Sequence, residues 1–176
     1  AYTKAHTRRP VKVTLPGPMT IVDTTLDEHY RGDEEALAMR FAALLNAEAR
    51  DLAAAGADVI QFDEPAFNVF MDDVREWGIA ALHKAIEGLD CTTAVHICYG
   101  YGIQENIDWK KTLGDEWRQY EAIFPALNES RIDQVSLECA NSHVPLSLLR
   151  LLPDKTLLVG AIDVASLEVE TPEQVA

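Results

Sequence analysis

Positive charge is in short supply in this sequence. Fifteen Lys and Arg stand against 29 Asp and Glu in 176 residues, for a net charge of −14. Nucleic acid and anionic membrane surfaces are bound through clustered positive charge, so neither is expected as a partner. Long apolar runs are lacking too, and none approaches the roughly 20 residues that span a bilayer. The first ten residues are polar and basic, unlike a signal peptide. Cysteine occurs three times, an odd count with no framework spacing. That disfavours a disulfide scaffold and suits a reducing compartment, so a cytoplasmic location is expected. There is no P-loop and no G-x-G-x-x-G, and Gly100-Tyr101-Gly102 is too short to cradle phosphates. No G-x-S-x-G elbow offers a serine nucleophile. Nucleotide binding and hydrolytic triads are therefore disfavoured. What remains is 48% hydrophobic and 25% charged, the mix of a core-forming chain rather than a disordered one.

Short runs of β-branched and other apolar residues read as strands at Val11–Leu15, Asp58–Phe62, Thr92–Cys98, Gln134–Leu137 and Thr156–Ile162. They read as apolar throughout, as parallel strands covered on both faces would be. Helical patterns lie between them. Asp33 is a plausible N-cap, with Leu37, Phe41, Leu44, Leu45 and Leu52 at helical spacing and Gly56 as the stop. Asp72 opens a second pattern through Val74, Trp77, Ala81, Ala85, Ile86 and Leu89. A third carries Trp117, Tyr120, Phe124 and Leu127, and a shorter one follows Pro145. Five βα units in succession predict a parallel α/β sheet, either open and doubly wound or part of a closed (β/α)₈ TIM barrel. Thr171-Pro172-Glu173-Gln174 has the N-cap, N1 proline and capping-box glutamine of a helix start, two residues before the sequence stops. Stopping there, the chain reads as an internal segment of something longer; if the barrel is the architecture, 1–176 is one domain supplying about five of its eight βα units, truncated at both ends.

In βα folds the functional groups gather at the carboxyl ends of strands. Four ends here carry groups that a core strand does not need. Asp63 and Glu64 close the second strand, although a helix cap or solvated turn would explain them as well. His96 and Cys98 lie two apart on the third, hence on one face and about 6–7 Å from each other. A buried His beside an inert buried Cys is the bland account of that pair. Glu138 follows Val135-Ser136-Leu137, where an unpaired buried carboxylate would be costly. If its strand neighbours the third, His96, Cys98 and Glu138 approach one point, and three such donors with an open position make a catalytic zinc site. Cys139 would point the other way. Asp163 ends the fifth strand. Cys91, His6, His29 and His83 have no partner at ligand spacing, and His143 suits a loop or cap as well as a site.

Leu15-Pro16-Gly17-Pro18-Met19-Thr20-Ile21, Ile60-Gln61-Phe62-Asp63-Glu64-Pro65-Ala66, His96-Ile97-Cys98, Ser136-Leu137-Glu138 and Gly160-Ala161-Ile162-Asp163 occur in that order. In this the chain resembles cobalamin-independent methionine synthase over essentially its whole length. The resemblance implies a (β/α)₈ barrel in which zinc binds the thiolate of homocysteine for methylation to methionine. His96, Cys98 and Glu138 resemble three of the family's zinc ligands. Asp63, with Glu64 beside it, resembles the carboxylate that holds the substrate amino group, and Asp163 resembles a catalytic carboxylate. The family's fourth ligand, a later cysteine, has no counterpart in this sequence.

The methyl-donor side departs from the long members. Asp23-Thr24-Thr25 stands where they carry a folate-contacting Trp, Val69 where they carry a Glu, and Ala165 where they carry a His. The chain is closest to the short core forms, and the resemblance leaves the donor open between methyltetrahydrofolate and another source, including a methyl-delivery protein. The leading expectation is a zinc-dependent homocysteine methyltransferase. The alternatives are a related zinc thiol-alkyltransferase using coenzyme M or a corrinoid, and a thiol-binding barrel without chemistry.

Overall fold

A computed structural model describes residues 1–99, 104–140, 142–163 and 166–175, with backbone alone for 104–106. Gly100-Tyr101-Gly102 and Ala165 lie outside the described residues. Five parallel strands pair in chain order: β1 (Lys12–Pro16), β2 (Val59–Asp63), β3 (Thr92–Ile97), β4 (Gln134–Glu138) and β5 (Thr156–Gly160). The order is strictly sequential and lacks the reversal that defines a doubly wound sheet. Helices α1 (Tyr2–Ala5), α2 (Pro18–Asp23), α3 (Glu34–Ala54), α4 (Met71–Asp73), α5 (Ile79–Ala85), α6 (Gln104–Lys110), α7 (Tyr120–Glu129) and α8 (Pro172–Val175) accompany the strands. A π-helical stretch, Val74–Gly78, joins α4 to α5. Among the described residues, no helix is long and apolar enough to cross a membrane.

Local signals set the helix ends. The Asp33 carboxylate accepts the Ala36 amide at 3.0 Å and caps α3. Gly56 ends that helix at φ 100°, a left-handed conformation that strains a residue with a Cβ. Thr171 and Gln174 form the reciprocal capping box at the start of α8, at 2.7 and 3.3 Å. Faces were harder to read. Leu44 is exposed, whereas Ala38, Ala42, Leu45 and Ala49 make the buried stripe of α3. Small side chains let α3 lie close against Ala81 and Ala85 of α5, so size rather than hydropathy selects this face. Trp117 precedes α7 instead of lying on it, α4 begins at Met71 rather than at Asp72, and the segment after Pro145 is a 3₁₀ helix, Leu146–Leu151.

The strands alternate, contrary to the expectation of continuous apolar runs. Ile60, Phe62, Val95, Ile97, Val135 and Leu137 point to one face and join the helices in the apolar core. The residues in the other phase are mostly small or polar, with Val59 and Leu158 the apolar members. One registered row runs Thr14, Gln61, Ala94, Gln134, Thr156, and the next runs Pro16, Asp63, His96, Ser136, Leu158. The sheet thus has an apolar face under helices and a polar face whose upper edge carries the candidate residues.

Candidate active site on the polar face

Parallel register brings most of the candidate residues together. Asp63 pairs with His96, and His96 with Ser136, across β2, β3 and β4. Cys98 and Glu138 each lie two residues further along their strands, in the same phase and at the same end. All four candidate side chains are half-buried, open enough to meet a ligand. Asp163 stands three residues past β5, where its amide donates to the Glu170 carboxylate at 2.7 Å.

Neighbouring side chains orient these groups. The Ser136 hydroxyl lies 3.0 Å from His96 Nδ1, which leaves Nε2 as the ring nitrogen turned to a ligand. Gln61 donates to an Asp63 oxygen at 2.9 Å and accepts from Lys12 Nζ at 2.8 Å. This polar chain runs up the face and fixes the Asp63 carboxylate. Among the described residues, no three His, Cys, Asp or Glu side chains stand close enough together to hold a metal ion.

Glu64 has a different place from Asp63. It is fully buried, and its carboxylate accepts the Met19 amide at 3.1 Å, the Thr20 amide at 2.9 Å and the Thr20 hydroxyl at 2.7 Å. Amides at a helix start have no partner within the helix, and here the carboxylate supplies one. The Glu64 amide donates to the His96 carbonyl at 2.8 Å, and the Gly17 amide to the Asp63 carbonyl at 2.7 Å. The sequence grouped Glu64 with Asp63 as substrate-binding; here Glu64 is fully buried, and its hydrogen bonds tie α2 to the ends of β2 and β3. Burial pushes its carboxyl up to about 7, outweighing the hydrogen bonds that favour the ionised form, and the Asp63 charge acts in the same direction.

Sequence reasoning also missed the support around Cys98. Tyr99, directly after it, is buried among Trp109, Trp117 and Tyr120, with ring centroids at 5.9, 4.7 and 5.4 Å. An aromatic cluster scattered over 99–120 is visible in the sequence, but its convergence on one point is not. His143 is exposed at φ 46°, and its carbonyl accepts the Trp117 amide at 3.1 Å, so it serves a turn. Cys139 is buried in the apolar core, on the face opposite Glu138 as expected.

The methionine synthase of Saccharolobus islandicus (strain Y.G.57.14 / Yellowstone #1) is 34% identical over 168 residues, covering 94% of this chain and 45% of that protein. The methionine synthase of Sulfurisphaera tokodaii is 33% identical over 167 residues, covering 94% and 43% respectively. A solved structure of a B12-independent methionine synthase from Shewanella sp. W3-18-1, in complex with selenomethionine, is 61% identical with a TM-score of 0.93. It covers 99% of this chain and 51% of that one, so the chain spans about half the length of the relatives it matches. The family described as "Cobalamin-independent synthase, Catalytic domain" matches residues 1–176 from end to end. With those strand ends and that match, the chain belongs to the cobalamin-independent synthase catalytic-domain family.

Proposed function

We propose that this chain forms the thiol-binding part of a (β/α)₈ barrel enzyme, a methyltransferase that passes a methyl group to the thiol of homocysteine to give methionine. The observation that carries the reading is the gathering of Asp63, His96, Cys98 and Glu138 at one end of one polar face in adjacent register. The sequential strand order supports a barrel, with 1–176 supplying about five of its eight βα units in one domain. The 61% identical relative is in complex with selenomethionine, the selenium analogue of methionine, which supports an amino-acid product of that kind.

His96, Cys98 and Glu138 would hold zinc. An imidazole, a thiolate and a carboxylate suit that ion, and Ser136 already fixes the imidazole through the nitrogen that zinc does not need. Cys98 and Glu138, at the same edge of adjacent strands, would complete the set. The ion supplies positive charge that keeps a bound thiol ionised at neutral pH. Asp63 holds the substrate ammonium group, with Gln61 setting its carboxylate, so that the sulfur faces the methyl carbon. The thiol loses its proton to solvent, a sulfur electron pair forms the bond to the methyl carbon, and the bond from methyl to its carrier breaks with its electron pair staying on the carrier, which then takes up a proton. Asp163 is assigned to proton movement on the carrier's side. Methyltetrahydrofolate is one carrier; a separate methyl-delivery protein is the other that suits Asp23-Thr24-Thr25, Val69 and Ala165.

Labelled homocysteine turned over by the intact protein with a methyl donor should yield labelled methionine, and coenzyme M should not replace it. Methylation of coenzyme M in preference to homocysteine would overturn the assignment. Asp63→Asn keeps the shape but loses a charge-assisted hydrogen bond of about 1.5–3 kcal/mol. The KM for homocysteine should rise about 10- to 100-fold with a smaller change in kcat, measured by steady-state kinetics.

A further inference from the structure

The registered pairing of β3 ends one residue before Cys98. β3 pairs with β2 up to His96 and with β4 up to Ile97, so the Cys98 carbonyl lies past the last registered pair. Two side chains from outside the sheet reach this strand end. Asn68, in the 3₁₀ turn Pro65–Asn68, donates through Nδ2 to the Cys98 carbonyl at 2.9 Å. Tyr120, at the start of α7, donates its hydroxyl to the Ile97 carbonyl at 3.1 Å. Both residues are fully buried. The same device recurs on β4, where the buried Ser142 hydroxyl donates to the Glu138 carbonyl at 2.7 Å.

Polar groups are costly in such places. An apolar residue would fill the site of Asn68 without desolvating an amide. Its Oδ1 has no hydrogen-bond partner among the described residues, so the function of the amide rests on its donor side. That donor reaches the backbone of a residue whose side chain is open on the polar face. The Asn68 and Tyr120 bonds fix the carbonyls at 97 and 98, and rotation at Cys98 would move its sulfur off the face it shares with His96.

We propose that Asn68 and Tyr120 are positioning residues for the metal-binding thiol, holding the backbone at 97–98 so that His96 and Cys98 present their donors to one ion. This rests on the reading of His96, Cys98 and Glu138 as zinc ligands. Supporting groups one step removed from a metal typically change its affinity 10- to 100-fold when lost.

The test uses the intact protein and two variants, Asn68→Leu and Tyr120→Phe. Zinc affinity is measured by competition with a chromophoric chelator, and the thiolate-to-metal charge-transfer band by cobalt(II) substitution. Asn68→Leu should weaken zinc about 10- to 100-fold, and Tyr120→Phe should weaken it less. Both should alter the cobalt band, because the sulfur no longer sits at its original angle. Unchanged affinity, or weakened affinity with an unaltered band, would overturn the inference, since a loss of stability alone leaves the thiolate geometry intact. Should Asn68→Leu fail to fold, Tyr120→Phe decides alone, because it removes one oxygen. A wild-type protein that binds no zinc overturns the zinc reading itself, a result distinct from wild-type binding that the variants leave untouched.

Discussion

Replacing His96 with Ala and Cys98 with Ser together should strip zinc from the intact protein and lower turnover by at least about a thousandfold. The two residues are the whole contribution of β3 to the proposed donor set, and Glu138 alone cannot retain the ion. Without bound zinc the substrate thiol keeps a pKa near 8.5, so only a few per cent is thiolate at pH 7. Orientation of the sulfur is lost along with its charge, and that positioning accounts for most of the expected effect. The fold should survive. His96 and Cys98 are half-buried on the polar face and take no part in the apolar core, so the melting temperature should change little. Metal content by elemental analysis and melting by circular dichroism check the two halves of this result. Stoichiometric zinc in the double variant would remove His96 and Cys98 from the site.

The second large effect falls on stability. A Cβ added at Gly17 would lie 2.0 Å from Glu64 Cδ and 2.3 Å from its Oε1. The carboxylate cannot swing aside, because it is buried and already accepts three hydrogen bonds. Gly17→Ala should therefore cost about 3–5 kcal/mol, combining overpacking with amides left unpaired. For a chain of this size that is a fall of roughly 10 °C in melting temperature. Glu64→Ala should cost a similar amount through its cavity and the stranded amides of Met19 and Thr20. In the double variant the clash disappears, so the two losses should not add. Full additivity in urea denaturation would show that the contact is not what Gly17 serves.

Glu64 also gives stability a pH dependence with a definite sign. Its folded value of about 7 lies above the ordinary 4.5, so folding takes up a proton between the two. The group's contribution is fullest below 4.5 and is lost as pH rises through 7. Glu64→Gln removes this titration, so the decline in stability from pH 5 to pH 8 should be shallower than in the wild type.

The sequence signals that held were local ones. Every strand lies within one or two residues of its apolar run, because β-branched clusters and turn residues sit side by side in the chain. Asp33, Gly56 and the Thr171–Gln174 box fix helix ends through contacts a few residues apart. The strand ends likewise marked Asp63, His96, Cys98, Glu138 and Asp163 as candidates, since each interrupts an apolar run with a group that has its own chemistry, and the structure puts each at or just past the end of its strand. What escaped depended on register between distant segments. His96 meets Ser136 across 40 residues, Glu64 meets Thr20 across 44, and Asn68 meets Cys98 across 30. No periodicity encodes these pairs; they follow from which strands are neighbours and how far each slides. The polar face was overlooked for a related reason. Gln61, Ser136 and Thr14 look incidental in separate strands and become one surface only when the rows are aligned.

Calorimetric titration of L-homocysteine into the intact protein, zinc-loaded and zinc-stripped, in buffers of different ionisation enthalpy, bears most directly on the central claim. The account predicts that the loaded protein binds homocysteine and releases close to one proton at pH 7, while the stripped protein binds far more weakly and releases none. Equal affinity in the two forms, or binding without proton release, would contradict it.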